Sequence, residues 1–336
     1  AVPLVIAGQL VLGVIFTLLL ARAVGLRGGW DWFAAGIIGL SPVYLHQGLQ
    51  PQSDSPALVW CTAAVWLAWM SRERIWLALL AGLATGLAVL IRPSNVLLIL
   101  PLLIILFGAW RQLGLWILGG IPAAAWLGWY NHELYGSALL TGYGVSVESG
   151  FAWRYVPLTL RSYVQWLPLM FTPLVPLALA GPWLRDPAPR IRLALAVWSG
   201  VFVVFYAFYW CTWDNWYNMR FVLPAAPAMV ILALFATRAL ASRFRFPLFQ
   251  APGVLATMLL LIVLGLQLIA DSRLRKVVYW MQNNSVNAAG PRWLTQHVPK
   301  NSVILARHAT NSLLYYTDFT FVRSDHELAK SPDFYR

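Results

Sequence analysis

The sequence predicts an all-α polytopic membrane protein with a small C-terminal α/β domain. Of its 336 residues, 60% are hydrophobic and only 11% are charged, and the mean hydropathy is +0.66. Soluble domains contain about 25% charged residues, so this composition excludes an ordinary soluble protein. No segment alternates polar and apolar residues as the strands of a membrane β-barrel do, which favours membrane helices.

Ten apolar segments are candidates for membrane spans, because about 20 apolar residues cross a bilayer. The second, third and fourth are short enough to be tilted or partly re-entrant, which leaves the count open by one or two. The ten segments are residues 2–21, 31–45, 55–70, 76–91, 95–110, 114–131, 164–184, 193–212, 221–237 and 252–270.

Arginine placement predicts the orientation of these spans, because cytoplasmic loops near span ends collect Arg and Lys. With the N-terminus outside, eleven arginines fall in inside loops and four fall in outside loops before residue 271. The formal net charge of +12 is then mainly a topology signal, and no nucleic-acid partner is predicted. The inside set is Arg22, Arg27, Arg72, Arg74, Arg111, Arg185, Arg190, Arg192, Arg238, Arg243 and Arg245, and the outside set is Arg92, Arg154, Arg161 and Arg220.

The two cysteines and the N-terminus contribute little to the prediction of function. Cys61 and Cys211 lie in or at the end of apolar segments, which favours packing residues over a disulfide. The first span begins directly after Ala1, without the basic segment and cleavage site of a signal peptide. We therefore expect a chain that lacks an upstream span and loop.

Residues 271–336 differ in character from the rest, because they are polar and contain turn signals such as Ala-Gly-Pro and Pro-Lys-Asn. The domains predicted are a transmembrane domain over residues 1–270 and an extracytoplasmic α/β module over residues 271–336. Within the module, a helix is predicted over 290–298, strands over 302–307 and 319–323, and a short helix around 312–316.

The predicted outer face collects ionisable side chains, which are costly at a membrane boundary and by default mark a polar cavity or a substrate path. Each has a structural alternative. Asp54, followed by Ser-Pro, fits a helix N-cap, and Arg92 fits snorkelling to the lipid head groups. Asp214 and Arg220 fit a simple ion pair, and Glu133 fits an ordinary interfacial residue. The ionisable and polar candidates on this face are His46, Asp54, Arg92, His132, Glu133, Tyr143, Glu148, Asp214 and Arg220.

Aromatic residues give a second signal, with 19 Trp, 13 Tyr and 16 Phe, most of them at predicted span ends. The stretch "FYWCTWDNWYNMRF", residues 208–221, contains seven rings in fourteen residues. Two interpretations stay open: a dense interfacial belt, or a groove that holds a polyprenyl chain or stacks on sugar rings.

Four stretches, in this order, resemble bacterial members of the GT-C superfamily, the multi-span transferases that take a sugar from a polyprenyl-phosphate donor outside the membrane. A short loop with Asp precedes an apolar run, a glycine-rich span ends in a basic residue, an outer loop ends in Thr-Gly-Tyr, and Arg-Phe-x-x-Pro-x-x-Pro follows. These stretches read "SDSPALVWCTAAVWLA", "LAGLATGLAVLIRPSNVLLILPLLI", "YNHELYGSALLTGYG" and "MRFVLPAAPAMVILAL". The resemblance covers most of residues 30–240. It is closest to the subgroup similar to protein O-mannosyltransferases and lipid A aminoarabinose transferases.

This resemblance implies an inverting sugar transfer from a polyprenyl-phosphate-linked donor to an acceptor glycan, lipid or protein. Arg92 and Arg220 would bind the departing phosphate, because a guanidinium group matches phosphate oxygens bidentately. A carboxylate would act on the acceptor hydroxyl. The predicted site has Asp54 as its catalytic residue and His46, Arg92, Glu133, Tyr143, Asp214 and Arg220 as substrate-binding residues.

One departure from the family concerns its principal catalytic acid, which lies in the first outer loop and would precede Ala1. Asp54 would then be the second acidic position, which supports the site or the acceptor. The full-length protein is therefore expected to be the active form, and this chain is expected to lack the main acid. The sequence indicates no cofactor, and it leaves open the participation of a divalent metal, the sugar and the acceptor.

Two alternatives belong to other classes of protein. A transporter or flippase of a lipid-linked or amphiphilic solute would use the same outer cavity for passage, although the inverted repeats typical of transporters are not found in the sequence. A non-catalytic membrane scaffold with an extracellular interaction module is the third interpretation.

Overall fold

A computed structural model of the chain describes residues 2–48, 52–140, 150–213, 215–243, 285–306, 313 and 316–323. Tyr143, Glu148, Asp214 and the predicted span 252–270 lie outside these described residues. The chain divides into two compact units, Ala1–Asp271 and Ser272–Arg336. The fold is mostly α-helical, which confirms the predicted fold class.

The first unit is built from α-helices joined by short turns and 3₁₀ segments. The 3₁₀ segments are Pro93–Leu98, Trp153–Tyr155, Val175–Trp183 and Trp216–Ala225. The α-helices are α1 (Val2–Ala23), α2 (Trp30–Gly39), α3 (Pro42–Gly48), α4 (Asp54–Met70), α5 (Leu77–Ile91), α6 (Ile99–Leu106), α7 (Trp110–Tyr135), α8 (Val156–Met170), α9 (Pro189–Ala207) and α10 (Ala226–Arg243).

Several of these segments are long and apolar enough to cross a membrane. Among the described residues, four qualify by length and composition: Leu4–Ala23, Trp110–Tyr135, Pro189–Ala207 and Trp216–Arg243. Trp153–Met170 and Val175–Trp183, which meet at 105°, make a fifth if they are counted as one bent span. The chain is thus a multi-pass membrane protein, and the count of ten spans stays a prediction.

Proline interrupts two of the predicted spans, and a third is only partly α-helical. The residue before a proline is disfavoured in the α conformation, and proline itself cannot donate a helical hydrogen bond. The predicted span 31–45 is divided between α2 and α3 just before Pro42. The predicted span 95–110 is a 3₁₀ segment followed by α6, and the span 164–184 is interrupted between Met170 and Val175.

Successive helices run back and forth between two ends of the first unit. At one end, the indole N–H of Trp69 donates to the carbonyl oxygen of Ala23 over 3.0 Å, and Arg238 lies 3.2 Å from Asp186. We call this the basal end. At the opposite end, which we call the site end, the Tyr206 hydroxyl donates to the Ser94 hydroxyl oxygen over 2.7 Å.

The two predicted sets of arginines separate between these ends. Arg185 and Arg238, both from the predicted inside set, line one groove at the basal end. Arg92 and Arg220, from the predicted outside set, lie at the site end. The alternation of span ends that the arginines predicted therefore agrees with the path of the chain.

Glycines allow α5 and α7 to pack closely and in parallel. A Cβ atom on Gly82 of α5 would overlap the backbone oxygen of Trp116, and one on Gly119 of α7 would overlap the backbone oxygen of Leu79. The Trp116 indole N–H also donates to the Thr85 hydroxyl over 3.0 Å. Because α5 ends at Arg92, this contact helps to fix the position of a predicted site residue.

The second unit contains a helix and a pair of strands in the part that is described. The helix α11 (Ser285–His297) precedes β1 (Val303–Ala306), which pairs in parallel with β2 (Thr320–Arg323). The register places Val303 opposite Thr320. These elements match the predicted helix and the two predicted strands, whereas most of the predicted helix around 312–316 falls outside the described residues.

Candidate functional site

The end of α5 places Arg92 where its side chain leaves the helix. Arg92 precedes Pro93 and takes an extended conformation, with φ −147° and ψ 116°, as the residue before a proline favours. The amide of the buried Asn95 donates to the carbonyl oxygen of Ala88 over 2.8 Å, and this carbonyl also accepts the Arg92 backbone N–H over 3.0 Å. The break in the helix thus sets the direction of Arg92.

Asp54 is the partner of Arg92. The carboxylate of Asp54 and the Nη1 atom of Arg92 form an ion pair, and only 4% of Asp54 is exposed. The N-cap of α4 is Ser53, without a side-chain capping hydrogen bond, so Asp54 is not the cap that the sequence offered as an alternative. Burial raises the pKa of the Asp54 carboxyl, and the charges of Arg92 and Arg220 oppose this rise.

Arg220 is positioned by the 3₁₀ segment that precedes α10. The Asn215 side chain accepts a hydrogen bond from the Tyr217 backbone N–H over 2.9 Å and so caps the start of this segment. Residues three apart lie on the same face of a 3₁₀ helix. Tyr217 and Arg220 share that face, and the Arg220 guanidinium lies 4.3 Å from the centre of the Tyr217 ring.

Gln52 joins this pair from the loop before α4. Nη1 of Arg220 donates to the Gln52 side-chain oxygen over 2.9 Å and to the Tyr217 phenolic oxygen over 2.6 Å. The Gln52 amide donates to the same phenolic oxygen over 2.7 Å. The Nε atom of Arg220 is buried and has no partner among the described residues, so these neutral neighbours orient the guanidinium without neutralising it.

The two arginines meet at one aromatic ring. The guanidinium carbon of Arg92 lies 5.3 Å from the centre of the Phe221 ring, and that of Arg220 lies 4.9 Å from it. Tyr206 stacks on the same ring at 5.2 Å, and Tyr209 contacts it edge-on at 5.3 Å. The aromatic stretch 208–221 therefore forms part of the site and is more than an interfacial belt.

His46 lies beside Tyr217, in α3 and beyond the predicted span 31–45. Its ring centre is 5.2 Å from that of Tyr217 and 5.5 Å from that of Trp216, and only 4% of the residue is exposed. Burial and the neighbouring charge of Arg220 lower the pKa of His46 to about 4. The imidazole is therefore neutral near pH 7 and adds no third positive charge to the site.

Of the seven predicted site residues, the structure gathers His46, Asp54, Arg92 and Arg220. Glu133 lies exposed near the C-terminal end of α7, and no hydrogen bond or ion pair within the described ranges joins it to the other four. Tyr143 and Asp214 lie outside those ranges, so the predicted pairing of Asp214 with Arg220 is not described. No group of three or more His, Cys, Asp or Glu residues suited to a metal ion occurs in the part of the chain that is described.

Neither Tyr217 nor Gln52 is among the predicted site residues. The spacing of Tyr217 and Arg220 was the available signal for their contact, since three residues make one 3₁₀ turn. The hydrogen bond from Arg220 to Gln52 spans 168 positions and carries no local sequence signal.

A negatively charged oxygen group is the ligand that this arrangement suits. Among the described residues, the site holds two guanidinium groups and one carboxylate, so these residues carry one positive charge in excess. The partly buried position strengthens the attraction of an anion relative to that in bulk water. A phosphate can take two parallel hydrogen bonds from a guanidinium group.

Comparisons with known proteins bear on the fold. No protein-family model and no curated protein matches this chain. The crystal structure of ArnT from Cupriavidus metallidurans bound to undecaprenyl phosphate is similar, with a TM-score of 0.57, 13% identity, and coverage of 99% of this chain and 74% of that one. Its apo structure has a TM-score of 0.61 and 13% identity, and 98% of this chain matches 72% of that one. ArnT is a lipid A aminoarabinose transferase. The predicted resemblance is therefore confirmed at the level of the fold, and the chain has the fold of the GT-C superfamily.

Proposed function

We propose that the protein transfers a sugar from a polyprenyl-phosphate-linked donor to an acceptor at the outer face of the membrane. The observation that carries the proposal is the convergence of Arg92 and Arg220 on Phe221, with Asp54 paired to Arg92. The fold supports it, because the similar ArnT structure is described as bound to undecaprenyl phosphate.

The reaction needs positive charge at the place where the arginines meet. In the transfer, the bond between the anomeric carbon of the sugar and the phosphate oxygen breaks, and its electron pair stays on the polyprenyl phosphate. The acceptor oxygen bonds to the anomeric carbon from the opposite face and loses its proton to a base. Arg92 and Arg220 stabilise the charge that develops on the departing phosphate.

The described residues divide these tasks among themselves. Gln52 and Tyr217 hold Arg220 with neutral hydrogen bonds, so its charge stays available to the donor. Asp54 positions Arg92 through their ion pair, and it influences the reaction mainly by fixing that guanidinium group. No described residue is assigned as the base that accepts the proton from the acceptor.

A cluster of aromatic rings completes the proposed donor site. Tyr206, Tyr209 and Phe221 form a continuous aromatic cluster beside the two guanidinium groups. Aromatic faces are suited to stacking on sugar rings and to packing against an isoprenoid chain. The identity of the acceptor, whether glycan, lipid or protein, is not assigned.

Binding of undecaprenyl phosphate tests the proposal on the 336-residue chain, because binding depends on the phosphate site and not on the base that accepts the proton. The purified chain in detergent should bind undecaprenyl phosphate more tightly than undecaprenol, which lacks the phosphate. Arg220→Lys keeps the charge but loses the planar fork, so we expect affinity for the phosphate form to fall about tenfold.

The matched control is Arg154→Lys, an exposed arginine of the predicted outer loops. It should bind undecaprenyl phosphate as the unchanged chain does. Equal affinity of the unchanged chain for the phosphate and for the alcohol, or no effect of Arg220→Lys, would contradict the proposed site.

A further inference from the structure

A groove of about 1010 Å³ lies at the basal end, away from the proposed donor site. It is formed by the end of the 3₁₀ segment Val175–Trp183, the loop that follows it, and the last turns of α10. Gly181 allows the two elements to run close together, since a Cβ atom there would lie 3.0 Å from a side-chain carbon of Leu232. The groove is at the upper end of the range for small-ligand sites, roughly 300–1,000 Å³.

Positive charge dominates the lining of this groove. Three arginines, Arg185, Arg238 and Arg243, face a single carboxylate, that of Asp186. Arg238 lies 3.2 Å from Asp186, whose side chain is 74% exposed. Within the described ranges, the side chains of Arg185 and Arg243 take part in no hydrogen bond or ion pair. The guanidinium groups of Arg185 and Arg243 are therefore available to bind an external anion.

Exposed apolar side chains adjoin the arginines along the same segment. Leu179 is 78% exposed and Trp183 is 82% exposed, and Arg185 follows two positions after Trp183. In a membrane protein, such apolar surface faces lipid chains, tryptophan favours the interface, and arginine favours the head-group layer. Along this segment an apolar side chain is followed by an aromatic one and then by a cationic one. A phospholipid has the same order of regions, from its acyl chains through the interface to its phosphate.

We propose that this groove binds the head group of an anionic phospholipid. Arg185, Arg238 and Arg243 bind the phosphate, and the acyl chains lie against Leu179 and Trp183. Clusters of arginine at the membrane surface attract anionic lipids, and a guanidinium group matches phosphate geometry. Asp186 competes with the lipid for Arg238, so the groove selects lipids whose charge exceeds that of a zwitterion. This site is independent of sugar transfer.

Native mass spectrometry of the 336-residue chain provides the test. The chain is released from nanodiscs that contain phosphatidylcholine with a minority of phosphatidylglycerol, and retained lipid molecules are counted by mass. We expect the unchanged chain to retain phosphatidylglycerol in preference to phosphatidylcholine. The double variant Arg185→Gln/Arg243→Gln should lower the retention of phosphatidylglycerol by about tenfold.

The matched control is Arg74→Gln/Arg111→Gln, which removes the same charge from exposed positions of the predicted inside loops. It should retain phosphatidylglycerol as the unchanged chain does. Arg243→Gln alone is the second variant, because it lies at an exposed helix end and perturbs no described contact. It should show a smaller loss in the same direction.

Three outcomes would overturn the proposal. In the first, the groove variants retain phosphatidylglycerol like the unchanged chain. In the second, the control variant loses as much retained phosphatidylglycerol as the double variant, which would indicate a general attraction of anionic lipid to the positively charged surface. In the third, excess inorganic phosphate displaces the lipid completely, which would show a free-anion site with no contribution from the acyl chains.

Discussion

Asp54 forms a buried ion pair with Arg92, 38 positions further along the chain. The two residues come from the start of α4 and the end of α5, which are adjacent in the sequence and run in opposite directions. The pair therefore joins two neighbouring helices at the site end. It also keeps the Arg92 guanidinium near the Phe221 ring, beside which the Arg220 guanidinium also lies.

The first prediction separates the ion pair from a merely structural role of Asp54. Asp54→Asn removes the charge but keeps the size and a hydrogen-bond acceptor. Arg92 therefore loses its ion-pair partner, while helix α4 is retained. In a preparation that transfers sugar, we expect the rate of transfer to fall at least about tenfold, which is about 1.4 kcal/mol in the barrier. The measurement is transfer from a labelled polyprenyl-phosphate sugar.

A double-mutant cycle is the control for this prediction. If the pair acts as a unit, Asp54→Asn combined with Arg92→Gln should destabilise the chain by less than the sum of the two single variants. Full transfer activity in Asp54→Asn, together with a lower melting temperature in Asp54→Ala, would show that Asp54 serves stability alone.

The second prediction concerns sidedness. We expect residue 285 to lie outside the cytoplasmic membrane and residue 188 to lie inside, because the eleven-to-four split of arginines between loops predicts this orientation. Ser285→Cys and Ala188→Cys are made separately in a Cys211→Ala background, which removes the partly exposed native thiol. A membrane-impermeant thiol reagent is added to whole cells whose outer barrier is permeable.

Labelling of 285 with protection of 188 is the expected pattern. Lysed cells provide the control, since both cysteines should then react. The reverse pattern in whole cells would invert the topology, and the proposed donor site would then face the cytoplasm.

The third prediction tests the close packing of α5 on α7. Gly82→Ala places a methyl group against the backbone of Trp116, so the helices must move apart and Arg92 with them. Overpacking of this kind costs about 1–3 kcal/mol of unfolding free energy. A lower thermal unfolding midpoint in detergent would report it.

Gly114→Ala is the control on α7, because a Cβ atom there meets no other atom within 4 Å. Replacing glycine by alanine inside a helix is expected to stabilise by about 0.5–1 kcal/mol when there is room for the methyl group. Equal effects of Gly82→Ala and Gly114→Ala would show that the glycine contact does not position α5.

The sequence predicted the fold class, and it assigned to one face four candidate residues that lie together in the structure, for physical reasons that are local. Apolar length marks membrane helices, and arginine bias marks their ends, so four site residues were assigned to one face before their contacts were known. The pairing of Asp54 with Arg92 was not predictable, because it depends on the extended turn at Pro93 and on the contact of α4 with α5. The sequence had instead offered an ion pair of Arg220 with Asp214.

The least predictable feature is the support of Arg220. Gln52, Tyr217 and Arg220 form their hydrogen bonds only when the loop before α4 meets the 3₁₀ segment before α10. No spacing rule links segments so far apart in the chain. Gln47, Gln50 and Gln52 make the stretch before Asp54 polar, but this composition does not identify the partner of Gln52.

The last prediction uses the titration of His46. Its pKa falls from an ordinary value of 6.5 to about 4 in the folded protein, because of burial first and Arg220 second. Above the ordinary value, the imidazole is neutral in both the folded and the unfolded chain. Between the two values only the unfolded chain binds the proton, so folding stability must decrease as the pH falls through this window. The full loss is at most about 3 kcal/mol, and it is complete below the folded pKa.

His46→Gln removes this titration while it keeps a polar side chain beside Tyr217 and Trp216. Its unfolding midpoint should therefore depend less steeply on pH between the two values than that of the unchanged chain. His132→Gln, at an exposed position on α7, should keep the original dependence and controls for the loss of any histidine. The Asp54 carboxyl titrates in both proteins, so the difference between their curves isolates His46. Parallel curves for the unchanged chain and His46→Gln would mean that the imidazole is not held neutral beside Arg220.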